Sequence, residues 1–105
     1  MITHLVDTSA LTRGHLPGVI AALKRIGTAR CVITDFEIGF SASNAAEWDA
    51  LQRGLTIHPL VQVGLAEIQR ALEVQLLLAA NGLKGRKIPV LLIAATAELA
   101  GLVRV

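Results

Sequence analysis

The chain is punctuated by apolar runs too short for a helix, and each is followed by a longer segment that reads as one. ITHLV, at 2–6, stops at Asp7, and DTSALTR then turns into a short helix with Asp7 or Thr8 at its cap. Gly14 breaks that helix and Pro17 starts another, PGVIAALKRIG, in which Val19, Ile20, Leu23 and Ile26 share one face. CVIT, at 31–34, reads as a second buried strand, and 34–55 as one helix or two with an interruption around SASN. GLTIHPL, at 54–60, is a third extended stretch with Pro59 marking its end. An amphipathic helix follows, with Leu65, Ile68, Leu72, Leu76 and Ala79 expected to face inward and Glu67, Arg70 and Glu73 to face water. A glycine- and base-rich loop at 82–87 leads to a last helix, opened by Pro89 and closed by Gly101, and LVRV is a last strand. Strands separated by helical crossovers pair in parallel, so the class is α/β with a parallel sheet.

Composition agrees with that class and sets its limits. The 105 residues make one domain, 1–105, and with 53% hydrophobic but only 3% aromatic residues the burial falls to Leu, Ile, Val and Ala. Such residues suit helices packed on a buried parallel sheet. A formal charge of +2 permits an anionic partner without demanding one. Cys31 has no second cysteine to pair with, which fits a reducing compartment. Met1 leads straight into ITHLVD without the basic start and long apolar core of a signal peptide, and the run IPVLLIAATA is too short to span a bilayer. These features predict a cytoplasmic domain with no membrane attachment.

In parallel α/β sheets ligands gather at the carboxyl ends of strands. Asp7 follows the first strand and Glu37 lies one turn beyond the second, so both can point into one crevice and hold Mg²⁺ or Mn²⁺ between their oxygens. Each acid also has a structural explanation. Asp7 can cap the helix that begins at Thr8, and Thr34-Asp35-Phe36-Glu37 fits a capping box. Thr8 and Ser9 are candidates to orient Asp7 or a metal-bound water, or to cap the helix themselves. Lys84, Arg86 and Lys87 form a basic loop that meets RNA phosphates or is simply solvated. His4, His15 and His58 show no metal-ligand spacing, Trp48 lacks the interleaved aromatics of a base-stacking platform, and Cys31 reads as a small core residue.

LVDTSAL, ITDFEIGFSA and IPVLLIAATAELAGL, in that order and spacing, resemble three successive blocks of the PIN-domain family, in its VapC branch of ribonuclease toxins from bacterial toxin–antitoxin pairs. The likeness runs the length of the chain. It implies a three-layer α/β/α sandwich with a parallel central sheet, here lacking the family's last strand and helix, and metal-dependent endonucleolytic cleavage of RNA. It implies a cognate antitoxin as partner and, commonly, a homodimer. In such proteins four acids surround one or two Mg²⁺ ions. By this resemblance Asp7 matches the first acid and Glu37 the second. Val90 stands where the third normally follows the proline, and the sequence ends at Val105 before the fourth.

Half the expected negative charge is therefore missing, and Mg²⁺ needs carboxylates together with substrate phosphate to hold it. The charge count predicts that the chain cleaves RNA poorly or not at all. Asp35 lies about 200° around a helix from Glu37, and Glu98 lies about 12 Å along the helix axis from Val90, so neither is expected to stand in. The competing reading is a catalytically dead PIN-like module that captures antitoxin or its own kind, with LTRGHLPGVIAALKRIG as docking surface unless its apolar face closes over the sheet. The unpaired edge at LVRV is expected to favour self-association.

Overall fold

The computed structural model describes residues 1–12, 27–83 and 87–104. The helix read over PGVIAALKRIG, and with it the docking surface read there, lies largely outside the described residues, as do Lys84 and Arg86. Four strands form one sheet in the order β3-β2-β1-β4: β1 (His4–Leu5), β2 (Thr28–Cys31), β3 (Leu60–Val61) and β4 (Val103–Arg104). Every pairing is parallel, with His4 opposite both Thr28 and Val103. Five helices belong to the described part: α1 (Thr8–Thr12), α2 (Val32–Phe40), α3 (Ala45–Leu55), α4 (Leu65–Ala80) and α5 (Ile88–Ala100). A parallel sheet covered by helices is the α/β/α sandwich that the resemblance implies. None of the described helices is long and apolar enough to cross a membrane.

The core is built around α5, which packs against the sheet on one side and α4 on another. Ile93 and Ala97 join Leu5, Ala29 and Cys31 in one buried cluster, with Ile33, Val61, Val63 and Leu102 around it. Leu91 and Ala95 join Ala71 of α4 in a second, flanked by Val74, Leu78 and Leu92. Gly101 ends α5 at a left-handed φ of 70°, which frees Leu102 N to donate to Ala97 O at 2.8 Å. That C-terminal cap turns the chain directly into β4. At the same, amino end of the sheet Gly27 leaves no room for a side chain, since a Cβ there would meet Met1 O at 1.9 Å. Its carbonyl accepts from the amides of Thr3 and His4, which brings the strand that becomes β2 alongside β1.

Two boundaries differ from the sequence reading, and one of its alternatives is resolved. The second strand is Thr28–Cys31, and Val32, Ile33 and Thr34 form the first turn of α2 instead. Their β-branched side chains suit a strand, but the ladder to β1 is satisfied by Thr28 and Ala29, and Thr34 is buried against β1 with its hydroxyl donating to Val6 O at 3.5 Å. Thr34 is thus inside the helix and no capping box forms there; Cys31 occupies the cap without a side-chain bond. The segment 34–55 is two helices, and Asn44 starts the second by accepting from Glu47 N at 2.8 Å. Pro59 precedes the third strand rather than ending it, and its carbonyl accepts from Arg30 N at 2.9 Å.

The largest correction concerns α4. Leu65, Ile68, Leu72 and Leu76, expected inward, are 43–69% exposed. The packed side is Ala71, Val74 and Leu78, and Arg70, expected in water, bridges to α5 by donating to Glu98 Oε1 at 2.9 Å while also donating to Glu73 on its own helix at 2.6 Å. Small residues decide this. Ala71 facing Ala95 lets the two helix backbones approach, whereas the leucine stripe would hold them apart.

Two stability measurements follow. Leu91 is 7% exposed, and Leu91→Ala is expected to cost about 2–5 kcal/mol in urea unfolding, whereas exposed Leu72→Ala costs less than about 1 kcal/mol at dilute protein. Equal losses would mean that the leucine stripe is covered in solution. His58 is buried beside Thr28, Nδ1 to Oγ1 2.7 Å, and burial, then the charge of Arg30, lowers its pKa from the ordinary 6.5. The unfolded chain therefore takes up a proton before the folded one does, and stability declines as pH falls from 6.5 toward the folded value, then levels. Unfolding midpoints measured across that range are expected to flatten in His58→Asn.

Candidate active site

β1 is a central strand, and the chain crosses to β2 and β3 on one side of it before returning to β4 on the other. That makes the carboxyl ends of β1 and β4 a switch point, where a crevice opens because successive connections leave in opposite directions. Val6 is fully buried and Asp7 emerges just beyond it, immediately before α1. Glu37 reaches the same place from α2, about one and a half turns after β2 ends. Asp7, Thr8, Ser9, Glu37, Val90, Ile93 and Arg104 line one cavity of about 300 Å³ there.

Two hydroxyls hold the acids. Thr8 Oγ1 donates to Glu37 Oε1 at 2.6 Å, tying α1 to α2, and Ser9 Oγ donates to Asp7 Oδ1 at 2.7 Å. The sequence offers Thr8 to Asp7, to a metal-bound water or to a helix cap; in the structure its hydroxyl goes to Glu37. Hydrogen bonds to ionised carboxylates are the stronger kind, so both side chains are fixed in place. Val90, in the first turn of α5, turns its isopropyl group into the cavity, at the position where a third carboxylate was looked for.

Arg104 was not foreseen. Its Nε lies 4.0 Å from Asp7 Oδ2, across from β1 on the neighbouring strand. The signal was present as the one charged residue in LVRV, but a two-residue strand gives no reliable indication of which face it presents. The other acids are spoken for elsewhere. Asp35 accepts from Arg30 Nε of β2 at 2.9 Å in a half-buried pair, and Glu98 accepts from Arg70. Trp48 is half exposed and lies over Gly39, closing a cleft of about 420 Å³ with Phe36 and Phe40 that has Asp35 in its wall and does not include Asp7 or Glu37.

Mg²⁺ takes oxygen ligands, keeps several of its waters and is commonly held by one or two carboxylates together with substrate phosphate. Asp7 and Glu37 supply two carboxylates, and the cavity of about 300 Å³ leaves room for retained water. The donor set fits a hydrated divalent cation at that minimum, because Val90 brings no ligand and Arg104 brings a like charge. Among the described residues no three His, Cys, Asp or Glu side chains gather as a metal cluster.

No family model matches the chain. It is 42% identical over 106 residues to Ribonuclease VapC51 of Mycobacterium tuberculosis, covering 97% of this chain and 77% of that protein. Solved structures share its fold. A toxin–antitoxin complex from Klebsiella pneumoniae superposes with a TM-score of 0.78 at 20% identity, covering 97% of this chain and 83% of the other. VapBC2 from Rickettsia felis, bound to a DNA fragment from its promoter, gives 0.78 at 18% identity over 98% and 85% of the two chains. DNA-bound VapBC from Salmonella typhimurium gives 0.79 at 14% identity over 97% and 83%.

The bond from Thr8 to Glu37 makes a direct prediction. Thr8→Val removes a donor to a carboxylate and is expected to cost about 1.5–3 kcal/mol of folding stability in urea unfolding, while Thr8→Ser retains most of it. A Thr8→Val protein as stable as the parent would mean that the hydroxyl does not hold Glu37.

Proposed function

The chain belongs to the VapC branch of the PIN-domain ribonucleases, and on that premise we propose that it is the toxin of a type II toxin–antitoxin pair, cutting RNA as an endonuclease that depends on Mg²⁺ or Mn²⁺. Asp7 and Glu37 are the residues we assign to the ion. The observation that carries the assignment is that two carboxylates, one just before α1 and one from the middle of α2, share one cavity at the switch point of the sheet. A divalent cation, when bound, supplies Lewis-acid polarisation of the phosphoryl oxygen and a more acidic water. The protein's part is to order the ligands beforehand. Thr8 and Ser9 fix the two carboxylates, and Val90 and Ile93 wall the cavity with hydrocarbon, which strengthens every charge interaction inside it.

With Val90 where the resemblance puts a third acid, the site is thinner in charge, and Arg104 thins it further. One carboxylate fewer at 4 Å from the ion is worth about 2–8 kcal/mol at intermediate dielectric, for a charge of two. Weak ion binding, with activity that rises into the millimolar range of metal, is the form that impairment takes in this reading. The catalytically dead alternative is not the one favoured by a relative whose name is a ribonuclease.

The partners of this reading are a cognate antitoxin and a second copy of the chain. Exposed apolar surface supports both: the cleft of Phe36, Phe40 and Trp48, and the leucine stripe of α4. An RNA substrate and a lone buried Cys31 suit a cytoplasmic setting.

Cleavage of a single-stranded RNA across a Mg²⁺ titration tests the proposal. Asp7→Asn and Glu37→Gln are each expected to lower the rate at least about 10–100-fold, and Val90→Asp to lower the metal concentration needed. Cleavage that survives both carboxylate substitutions would remove the assignment.

A further inference from the structure

The acidic cavity has a neighbour. A second and larger opening, about 790 Å³, is lined by Val74, Leu78, Lys87, Val90, Leu91, Ala94 and Arg104. Val90 and Arg104 line both, so the two adjoin along that pair of side chains. One end of the combined cleft carries the carboxylates of Asp7 and Glu37. The other carries the cations Lys87 and Arg104, on a floor of aliphatic side chains. Its size falls within the roughly 300–1,000 Å³ of ligand-binding clefts.

We propose that this basic groove is the seat of the RNA strand next to the bond being cut, with Arg104 and Lys87 each holding a backbone phosphate. The inference rests on the ribonuclease reading and adds to it where the substrate lies and which residues hold it. Charge complementarity selects the occupant. A cleft that is acidic only where an ion is to be bound, and cationic beyond it, matches a polyanion whose scissile phosphate meets the ion. Arg104 stands at the junction, 42% exposed, with a planar fork suited to a phosphate. Lys87 sits exposed at the amino end of α5, where the helix dipole also attracts anions. The aliphatic floor accepts bases without selecting among them. A protein segment is the competing occupant, but an apolar helix would leave both cations against its hydrocarbon.

Binding without cleavage separates this proposal from the ribonuclease reading. A fluorescein-labelled single-stranded RNA is titrated into Asp7→Asn protein with EDTA present, at several salt concentrations, and followed by anisotropy. Adding Arg104→Gln or Lys87→Gln is expected to weaken binding severalfold and to reduce the slope of log affinity against log salt by about 0.7 each. Arg104→Lys retains most of the slope. Arg53→Gln, which removes a cation paired with Asp49 on α3, leaves it unchanged. Arg104→Gln in the otherwise unaltered protein is also expected to raise Mn²⁺ affinity in calorimetry, because a cation leaves the side of Asp7; a merely misfolded variant would lose both ligands. Unchanged RNA affinity and slope in Arg104→Gln and Lys87→Gln would overturn the groove, whoever else occupies it. If RNA cleavage meanwhile persists in the parent, the ribonuclease reading stands alone; if the parent neither binds nor cuts RNA, both fall.

Discussion

The structure depends on the central position of β1. A strand of two ladder residues has little to hold it by itself, but β1 is paired on both sides, to β2 and to β4, and roofed by Ile93 and Ala97 of α5. Leu5 and Val6 are fully buried, so the chain can only reach solvent at Asp7. Parallel pairing then brings the ends of all three strands to one edge, and the reversal of strand order opens a crevice beside Asp7. The carboxylate is delivered by the same burial that holds the sheet together. Substrate chemistry and folding are in that sense a single constraint.

Around that point the chain combines a retained scaffold with a reduced charge set. Thr8 and Ser9 keep the two acids oriented as ligands would need to be, at a cost in side-chain freedom. Val90 and Arg104 act in the opposite sense, one by withholding a carboxylate and the other by answering Asp7 with a positive charge. On the proposed reading, that balance favours phosphate over tight metal binding. An ion that arrives with its substrate, sharing the phosphate oxygens, suits such a balance better than one held permanently.

Much of this was legible in the sequence, and the failures have physical causes. That Asp7 and Glu37 line one cavity could be read because each acid follows a buried run, although Glu37 sits in the middle of α2 and not at its start. Helix α5 could be read as well, since proline at its start and glycine at its end are local signals. The end of β2 was misread because Val32, Ile33 and Thr34 carry strand-like side chains, whereas the hydrogen-bond ladder that decides the matter belongs to β1, far away in sequence. The face of α4 was misread because periodicity locates an apolar stripe without saying what packs against it. Ala71 and Ala95 win that contest through close approach, a property of two helices together. Arg104 was missed for a similar reason, because its meaning comes from Asp7 on the adjacent strand.

The most direct test of the account is the position of a divalent ion. Crystals soaked in Mn²⁺ and measured near the manganese edge are predicted to give one anomalous peak between Asp7 and Glu37, roughly 2–2.5 Å from an oxygen of each. A peak on one carboxylate alone, or none at either at millimolar Mn²⁺, would contradict the claim that these two acids form a single metal site.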